Sequence, residues 1–432
     1  MKITPAWRVF LLGATLCVAL TVCARNFADR GGPYFMASLT LAGVAYLLAI
    51  REFFTTQRFS RCVVVFGLFL AAVWNIEFLR LPPGSDDDIH RYVWDGRIQR
   101  LGYNPYLVVP SDPAAQALHT SETRNLNNPD LPSPYPAGAQ LFFRAVTAIQ
   151  ESTFALKVAF VVCELLIVLL LFDLLRSIGR GEHLVLACAW NPLFAIEVAG
   201  SGHIDIVGAL LLVVSAAALV RRWRAIAAVA LGLAIAVKFL PAVLLPLYWK
   251  RVRIRDAALA LGVFGFLYVP FLNRGRIPLG SLGAYVRGFR FNGPVFAALA
   301  HVALPQLLAG LAVLVGFATA AWLRRTEPGW SLDQFAWPMA ASLLFAPAIF
   351  PWYLLWLLPF LMSASTLPII VWTISIVATY VMWNLRAHGR PWGSLPGWVI
   401  WLEYGCIAMT GAIMLLRITP RTLRRTPTDP LR

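Results

Sequence analysis

Residues 62–106 read CVVVFGLFLAAVWNIEFL (62–79), RLPPG (80–84) and SDDDIHRYVWDGRIQRLGYNPY (85–106). An apolar run long enough to cross a bilayer as a helix thus empties into the most polar stretch of the chain. Asp86, Asp87, Asp88 and Asp95 therefore lie close to lipid, where carboxylates are costly unless they perform chemistry or bind a cation. Polar chemistry at the edge of a membrane is the first expectation.

Working outward, apolar runs of roughly 17–25 residues, the length that spans a bilayer, recur along all 432 residues. The chain is 59% hydrophobic and 13% charged, where a soluble chain carries about 25% charged residues. An all-α polytopic membrane protein is the class this implies. Helices are expected near 7–23, 34–50, 62–80, 154–176, 183–198, 204–220, 225–238, 239–249, 257–272, 303–323, 335–349, 353–362, 367–384 and 398–416. The polar interruption at 81–153 is too short and Pro-rich for an independent domain, so residues 1–432 read as a single membrane domain, with 1–60 a helical hairpin at its start. Trp7 to Cys23 follows a basic start but is not followed by a small-residue cleavage site, and reads as a retained helix. The six cysteines have no metal-site or disulfide spacing and read as small apolar residues.

A net charge of +16 on such a chain implies basic cytoplasmic loops and anionic lipid headgroups as partners, not nucleic acid. Basic residues gather at Lys2/Arg8, Arg51/Arg58/Arg61, Arg176/Arg180, Arg221/Arg222/Arg224, Lys250 to Arg255, Arg324/Arg325 and from Arg417 onward. Placing them all inside requires that 225–249 cross an even number of times. Phe239-Leu240-Pro241 splits that run, so a hairpin of two short helices is expected with Lys238 at its tip. The loops 81–153 and 273–302 and the tips near 199–203, 238 and 350–353 then lie outside. Arg274, Arg276, Arg287 and Arg290 break the trend, which suits either an anionic ligand or plain headgroup contact.

Residues 87–101 have helical character and stop at Gly102. On that helix Asp88, Arg91, Tyr92 and Asp95 share one face. Trp94, Ile98 and Leu101 form an apolar face expected to rest on the membrane. Asp86 reads as an N-cap residue favoured by the helix dipole, whereas Asp88, at the bilayer boundary beside another acid and an Arg, reads as functional. A lone Lys238 between short apolar helices needs an anionic partner, or else snorkels to the surface. His203 and Asp205, two apart, point to different helix faces and make a poor metal pair, so His203 reads as substrate-binding and no metal or cofactor is expected. Gly200 to Gly202 lead into a helix whose N-terminus could bind phosphate or a sugar hydroxyl. Tyr135, Trp352 and Tyr353 suit sugar or lipid contact and equally an interfacial belt.

Taken in order, Asp-Asp-Ile-His-Arg-Tyr-Val-Trp-Asp-Gly (87–96), Gly-Tyr-Asn-Pro-Tyr (102–106), Pro-Ser-Pro-Tyr-Pro (132–136), Asn-Pro-Leu (191–193), Gly-Ser-Gly-His-Ile-Asp (200–205), Val-Lys-Phe-Leu-Pro (237–241), Phe-Arg-Phe-Asn (289–292) and Phe-Pro-Trp-Tyr-Leu-Leu-Trp (350–356) resemble the bacterial GT-C glycosyltransferases that use polyprenyl-phosphate sugars. Polyprenol-phosphomannose-dependent mannosyltransferases are the nearest in look. The resemblance implies a GT-C-like bundle of about 12–14 transmembrane helices in a bacterial inner membrane, with a large outer loop carrying short amphipathic helices and an extracytoplasmic site. It implies transfer of a hexose, mannose by resemblance, from a polyprenyl-phosphate sugar to a glycan or glycolipid hydroxyl, without a cofactor. An acid of the first large outer loop would act as base, a role that falls to Asp88, with Asp87 second. Lys238, Arg287 and Arg290 are the candidates for the donor phosphate; Arg91, Tyr92, Asp95, Tyr135, His203, Asp205, Asn292, Trp352 and Tyr353 complete the expected substrate contacts. The family core usually has one helix before the acidic loop; here there are three, and the first two read as an added hairpin. A transporter or flippase of lipid-linked sugars would also explain broken helices and intramembrane charge. It fits less well with acids gathered in one outer loop. An assembly factor would not need Asp88, Lys238 and His203 together.

Overall fold

The computed structural model describes residues 4–84, 87–327, 329–393 and 395–422, with side chains through Leu416. Ser85, Asp86 and Lys2 lie outside the described set, as do the side chains of the basic residues beyond Leu416. The described chain is helical, with two isolated β-bridges and no extended strand.

Helices α1 (Pro5–Arg25) and α2 (Pro33–Thr55) form the initial hairpin, and α3 (Arg61–Leu79) leads up to the acidic segment. The helices of the long polar segment are α4 (Ile89–Arg100) and α5 (Ala137–Ile149), followed by the long α6 (Thr153–Ser177). Among the described residues, eight helices are long and apolar enough to span a bilayer, or nine if the bent pair Glu182–Ala189 and Phe194–Gly200 counts as one. The remaining expected apolar segments are present but shorter, including Asp205–Val220 and Arg224–Val237. The outward faces of the long spans carry Leu11, Val18, Phe69, Leu169, Phe266 and Leu314 exposed, as lipid contact requires.

Four expected helices are reshaped. The run expected at 183–198 bends by 65° around Asn191-Pro192, and resumes as a wide π-helical turn over Phe194–Gly200. Proline forbids an unbroken ladder there, and Asn191 anchors the break by donating to Thr373 Oγ1 at 2.8 Å. Leu240–Tyr248 and Pro351–Trp356 are 3₁₀ turns, each opened by proline. The helix expected at 335–349 stops at Leu344, because Pro347 disfavours a helical Ala346. Residues 347–349 instead bridge to Phe291, with Ile349 N donating to Phe291 O at 2.8 Å.

The turns sort into two ends. At one, Arg180 donates to Met362 O (2.7 Å), Arg324 to Trp249 O (3.1 Å) and Arg251 to Gly329 O (2.7 Å), while His183 Nε2 meets Phe53 O (3.0 Å). These turns carry most of the basic clusters. At the other end lie the 27–32 turn, the segment 87–136, the 200–205 turn, Lys238 and residues 350–353. The hairpin over 225–249 is as expected: Arg224 starts at the basic end and Lys238, in extended backbone, breaks the run at the opposite one.

The amphipathic reading of α4 needs correction. Trp94 and Ile98 do not rest on the membrane. They are fully buried against Ala115 and Leu126 of the following loop, and His119 stacks on Trp94 at 4.2 Å. Only Leu101, about half exposed, keeps an open apolar face.

Tight packing sets the site from behind. A Cβ on Gly208 would lie 1.8 Å from the ring of Trp356, whose Nε1 donates to Asp205 Oδ1 at 2.6 Å. Gly208→Ala should therefore displace that ring and destabilise the protein by about 1–3 kcal/mol, the usual cost of overpacking. A thermal unfolding midpoint in detergent equal to wild type would contradict this close approach.

Candidate active site

A cavity of about 670 Å³ opens at the end opposite the basic turns. Its wall is built from α4, the loop 125–136, the 203 and 238 turns, and residues from 281–289, 350–353 and 383–392.

Asp88 starts α4 with its backbone carbonyl, which accepts from Arg91 N and Tyr92 N. Its side chain makes no capping bond, so the carboxylate turns to the cavity wall. Oδ1 accepts from Asn127 Nδ2 at 2.5 Å and Oδ2 from Tyr135 OH at 3.0 Å. Burial, and then the neighbouring Asp88, push the Tyr135 phenol well above its ordinary pKa, so it remains a proton donor. Each oxygen thus has one donor and keeps further lone-pair capacity.

Asp87 also borders the cavity, but its carboxylate is buried and committed. Oδ1 pairs with Arg30 at 2.9 Å and Oδ2 accepts from Gly84 N at 2.7 Å. Arg91 lines the wall while donating to Asp95 (3.0 Å) and to Leu131 O (2.8 Å). Asp95 and Tyr92, expected to contact substrate, lie behind the wall instead. Asp95 is fully enclosed, accepting from Ser133 Oγ (2.5 Å) and Gln140 Nε2 (2.9 Å). Tyr92 stacks on Phe143 at 4.4 Å.

His203, also on the cavity wall, lies flat on Trp352 at 4.1 Å and 8°, with Nδ1 at 2.8 Å from Glu197 Oε2. Burial alone would lower the imidazole pKa; Glu197, helped by Asp88 and Asp87, outweighs it and holds the ring above its ordinary value. Glu197 also accepts from Tyr380 OH. The stacking continues beyond Trp352. Trp352 lies on Phe350 (4.5 Å), Phe350 on Phe291 (4.4 Å) and Phe291 on Trp392 (5.4 Å), all within 13° of parallel.

Lys238 has its anionic partner within the protein, where a ligand had been expected. Its Nζ donates to Asp205 Oδ1 at 2.8 Å and sits 3.9 Å over the Tyr353 ring, whose hydroxyl meets Tyr285 OH at 2.6 Å. Asp205 is buried behind it, and the Lys238 side chain stays one-quarter exposed at the cavity. Arg287 and Arg290 are off the wall. Arg287 is exposed, and Arg290 folds back onto the carbonyls of Val286, Phe289 and Arg287 and over Phe296. Asn292 is buried, donating to Glu403 at 2.9 Å.

Several wall or supporting groups escaped the sequence reading. Arg386 lines the cavity, with Trp383 and Trp392. Glu197 had left a signal, a lone acid in an apolar run. Arg30 had left none beyond its place at a hairpin tip.

The family model described as Alpha-(1->6)-mannopyranosyltransferase, N-terminal domain, matches residues 17–252. The chain belongs to this family. The match takes in Asp87, Asp88, Tyr135, His203, Asp205 and Lys238, and leaves the 281–289, 350–353 and 383–392 wall outside it. Alpha-(1->6)-mannopyranosyltransferase A of Mycobacterium tuberculosis is 24% identical over 391 residues, covering 81% of this chain and 74% of the relative. The crystal structure of ArnT from Cupriavidus metallidurans bound to undecaprenyl phosphate aligns with a TM-score of 0.46 and 16% identity, over 83% of this chain and 72% of that one. The family and the long apolar helices together make the protein a multi-pass membrane glycosyltransferase.

The Lys238–Asp205 pair can be tested by stability. Lys238→Met leaves Asp205 buried without its cation, which should cost about 3 kcal/mol. Adding Asp205→Asn should recover most of the loss. Unfolding midpoints for the single and double variants in detergent decide it, and equal losses in both would show that the pair does not hold the turn.

Proposed function

We propose that the protein moves a hexose, mannose by its family, from a polyprenyl-phosphate sugar to a hydroxyl of a lipid- or glycan-linked acceptor on the outer face of the membrane. The observation that carries this reading is the Asp88 carboxylate, held on the cavity wall by Asn127 and Tyr135 while cations line the same cavity.

The acceptor oxygen attacks the anomeric carbon and loses its proton to Asp88 as the glycosidic bond forms. The bond from that carbon to the phosphate oxygen breaks, and its electron pair leaves with polyprenyl phosphate. The phosphate passes from diester to monoester and gains negative charge. Arg91, Lys238 and Arg386 border the space where that charge develops, and positive groups aimed there stabilise the transition state. The Lys238 ammonium keeps donors beyond the one given to Asp205. The aromatic wall of Phe350, Trp352, Trp383 and Trp392 suits a sugar face or the start of a prenyl tail. Asp88 is preferred over Asp87 as base, because Asp87 is already paired with Arg30.

Purified protein should consume a polyprenyl-phosphate mannose and leave nucleotide sugars untouched in the absence of lipid carrier. The chain has no Gly-rich phosphate loop set between a strand and a helix. Asp88→Asn should lower kcat by about 10²–10⁴ in a protein that still inserts. Turnover near wild type in that variant, or direct use of a nucleotide sugar, would falsify the reading.

Sidedness rests on the basic turns, which the positive-inside rule assigns to the cytoplasm; the cavity is at the opposite end. A cysteine at exposed Leu107 should react with a membrane-impermeant maleimide in intact cells. The native, exposed Cys62, near the basic end, should react only after the membrane is opened. The reverse pattern would place the cavity inside.

A further inference from the structure

The tip of the initial hairpin reaches into the active site. Arg30 lies in the turn between α1 and α2, and its side chain is 5% exposed. Its Nη1 is 2.9 Å from Asp87 Oδ1 and donates to Ser201 Oγ at 2.7 Å. The guanidinium also packs over the rings of Phe27 (4.9 Å) and Trp383 (5.8 Å). The fit is tight, since a Cβ on Gly84 would lie 1.8 Å from Arg30 Nη2, and Gly84 N is itself a donor to Asp87.

The two groups that Arg30 holds have telling neighbours. Asp87 directly precedes Asp88. Ser201 is two residues before His203, which stacks on Trp352 at the cavity wall. One planar cation therefore ties the start of α4 to the 200–205 turn, and does so from a helix pair that contributes no residue to the cavity lining. A single point charge would not do this equally well, because guanidinium donors have fixed directions that can meet two acceptors in one plane.

We propose that Arg30 is a positioning residue for glycosyl transfer: through Asp87 and Ser201 it sets the Asp88 carboxylate and the His203 ring in register where the start of α4 and the 200–205 turn meet the cavity. The inference rests on the proposed role of Asp88, and it makes the initial hairpin part of the catalytic apparatus where the sequence reads as an added element. Loss of Arg30 lets α4 and the 200–205 turn shift relative to each other. A shift of about 1 Å at reacting groups costs roughly 10²-fold in rate, while the sugar, phosphate and prenyl contacts elsewhere in the cavity persist.

The test uses the full chain in detergent with the polyprenyl-phosphate sugar that wild type consumes. Arg30→Gln should lower kcat about 10²-fold with KM for donor and acceptor within about threefold. Asp87→Asn should act likewise, and Arg30→Gln/Asp87→Asn should be no worse than the poorer single variant, since both remove one interaction. Arg30→Lys, which keeps the charge but loses the planar fork, should fall between wild type and Arg30→Gln, and it supplies the kinetics if Arg30→Gln does not accumulate in the membrane. The inference is overturned by a kcat within threefold of wild type in Arg30→Gln, or in Arg30→Lys where Arg30→Gln does not accumulate. It is equally overturned by a rise in KM that accounts for the loss, or by single losses that multiply in the double variant. Failure of the underlying reading looks different: wild type would then consume no polyprenyl-phosphate sugar, or Asp88→Asn would retain full rate.

Discussion

Asp95 is the fixed point of the site. It is a carboxylate with no access to water, and such a group is tolerated only when its lone pairs are met. Arg91, Ser133 and Gln140 meet them, and Gln99 bonds Gln140 in turn. These donors come from α4 itself, from the Pro-rich stretch after it and from α5, so satisfying one acid pins three segments together. Asn127 and Tyr135 belong to the pinned stretch, and that is why they can reach Asp88. A buried polar network of this kind is unforgiving when incomplete but specific when complete. Here it gives an irregular loop the rigidity that an acid–base group needs.

Much of the architecture was legible because a bilayer imposes a length and a composition. The apolar runs fall where helices or short 3₁₀ turns stand, and the parity argument at 225–249 placed Lys238 at the end opposite the basic turns, where it stands. Pro241 marked where regular helix gives way, whereas the helices expected at 183–198 and 335–349 run through Pro192 and Pro347 and break there, in a form that depends on tertiary partners such as Thr373. The shared face of Asp88, Arg91, Tyr92 and Asp95 was also legible. Which of them meets a cavity and which a neighbouring segment was not, since periodicity orders side chains around a helix without saying what covers them.

The cations were the least legible part. Arg287 and Arg290 sit in a polar loop where any direction is available, and they turn to backbone carbonyls and the Phe296 ring. Arg386 sits in a stretch with no distinguishing pattern and borders the cavity. Lys238 was correctly read as needing an anion, but Asp205, 33 positions earlier, provides it. Charge in a sequence reports demand for a partner; distance along the chain says little about which partner answers.

The stacked rings from His203 through Trp352, Phe350 and Phe291 to Trp392 have a mechanical meaning. Parallel rings in van der Waals contact resist compression along their common axis, and protein interiors transmit such displacements instead of absorbing them. Tilting the indole at position 392 must either open a gap in the pile or push the imidazole at position 203. The far rim of the cavity and its innermost histidine therefore behave as two ends of one strut, although nearly half the chain separates them.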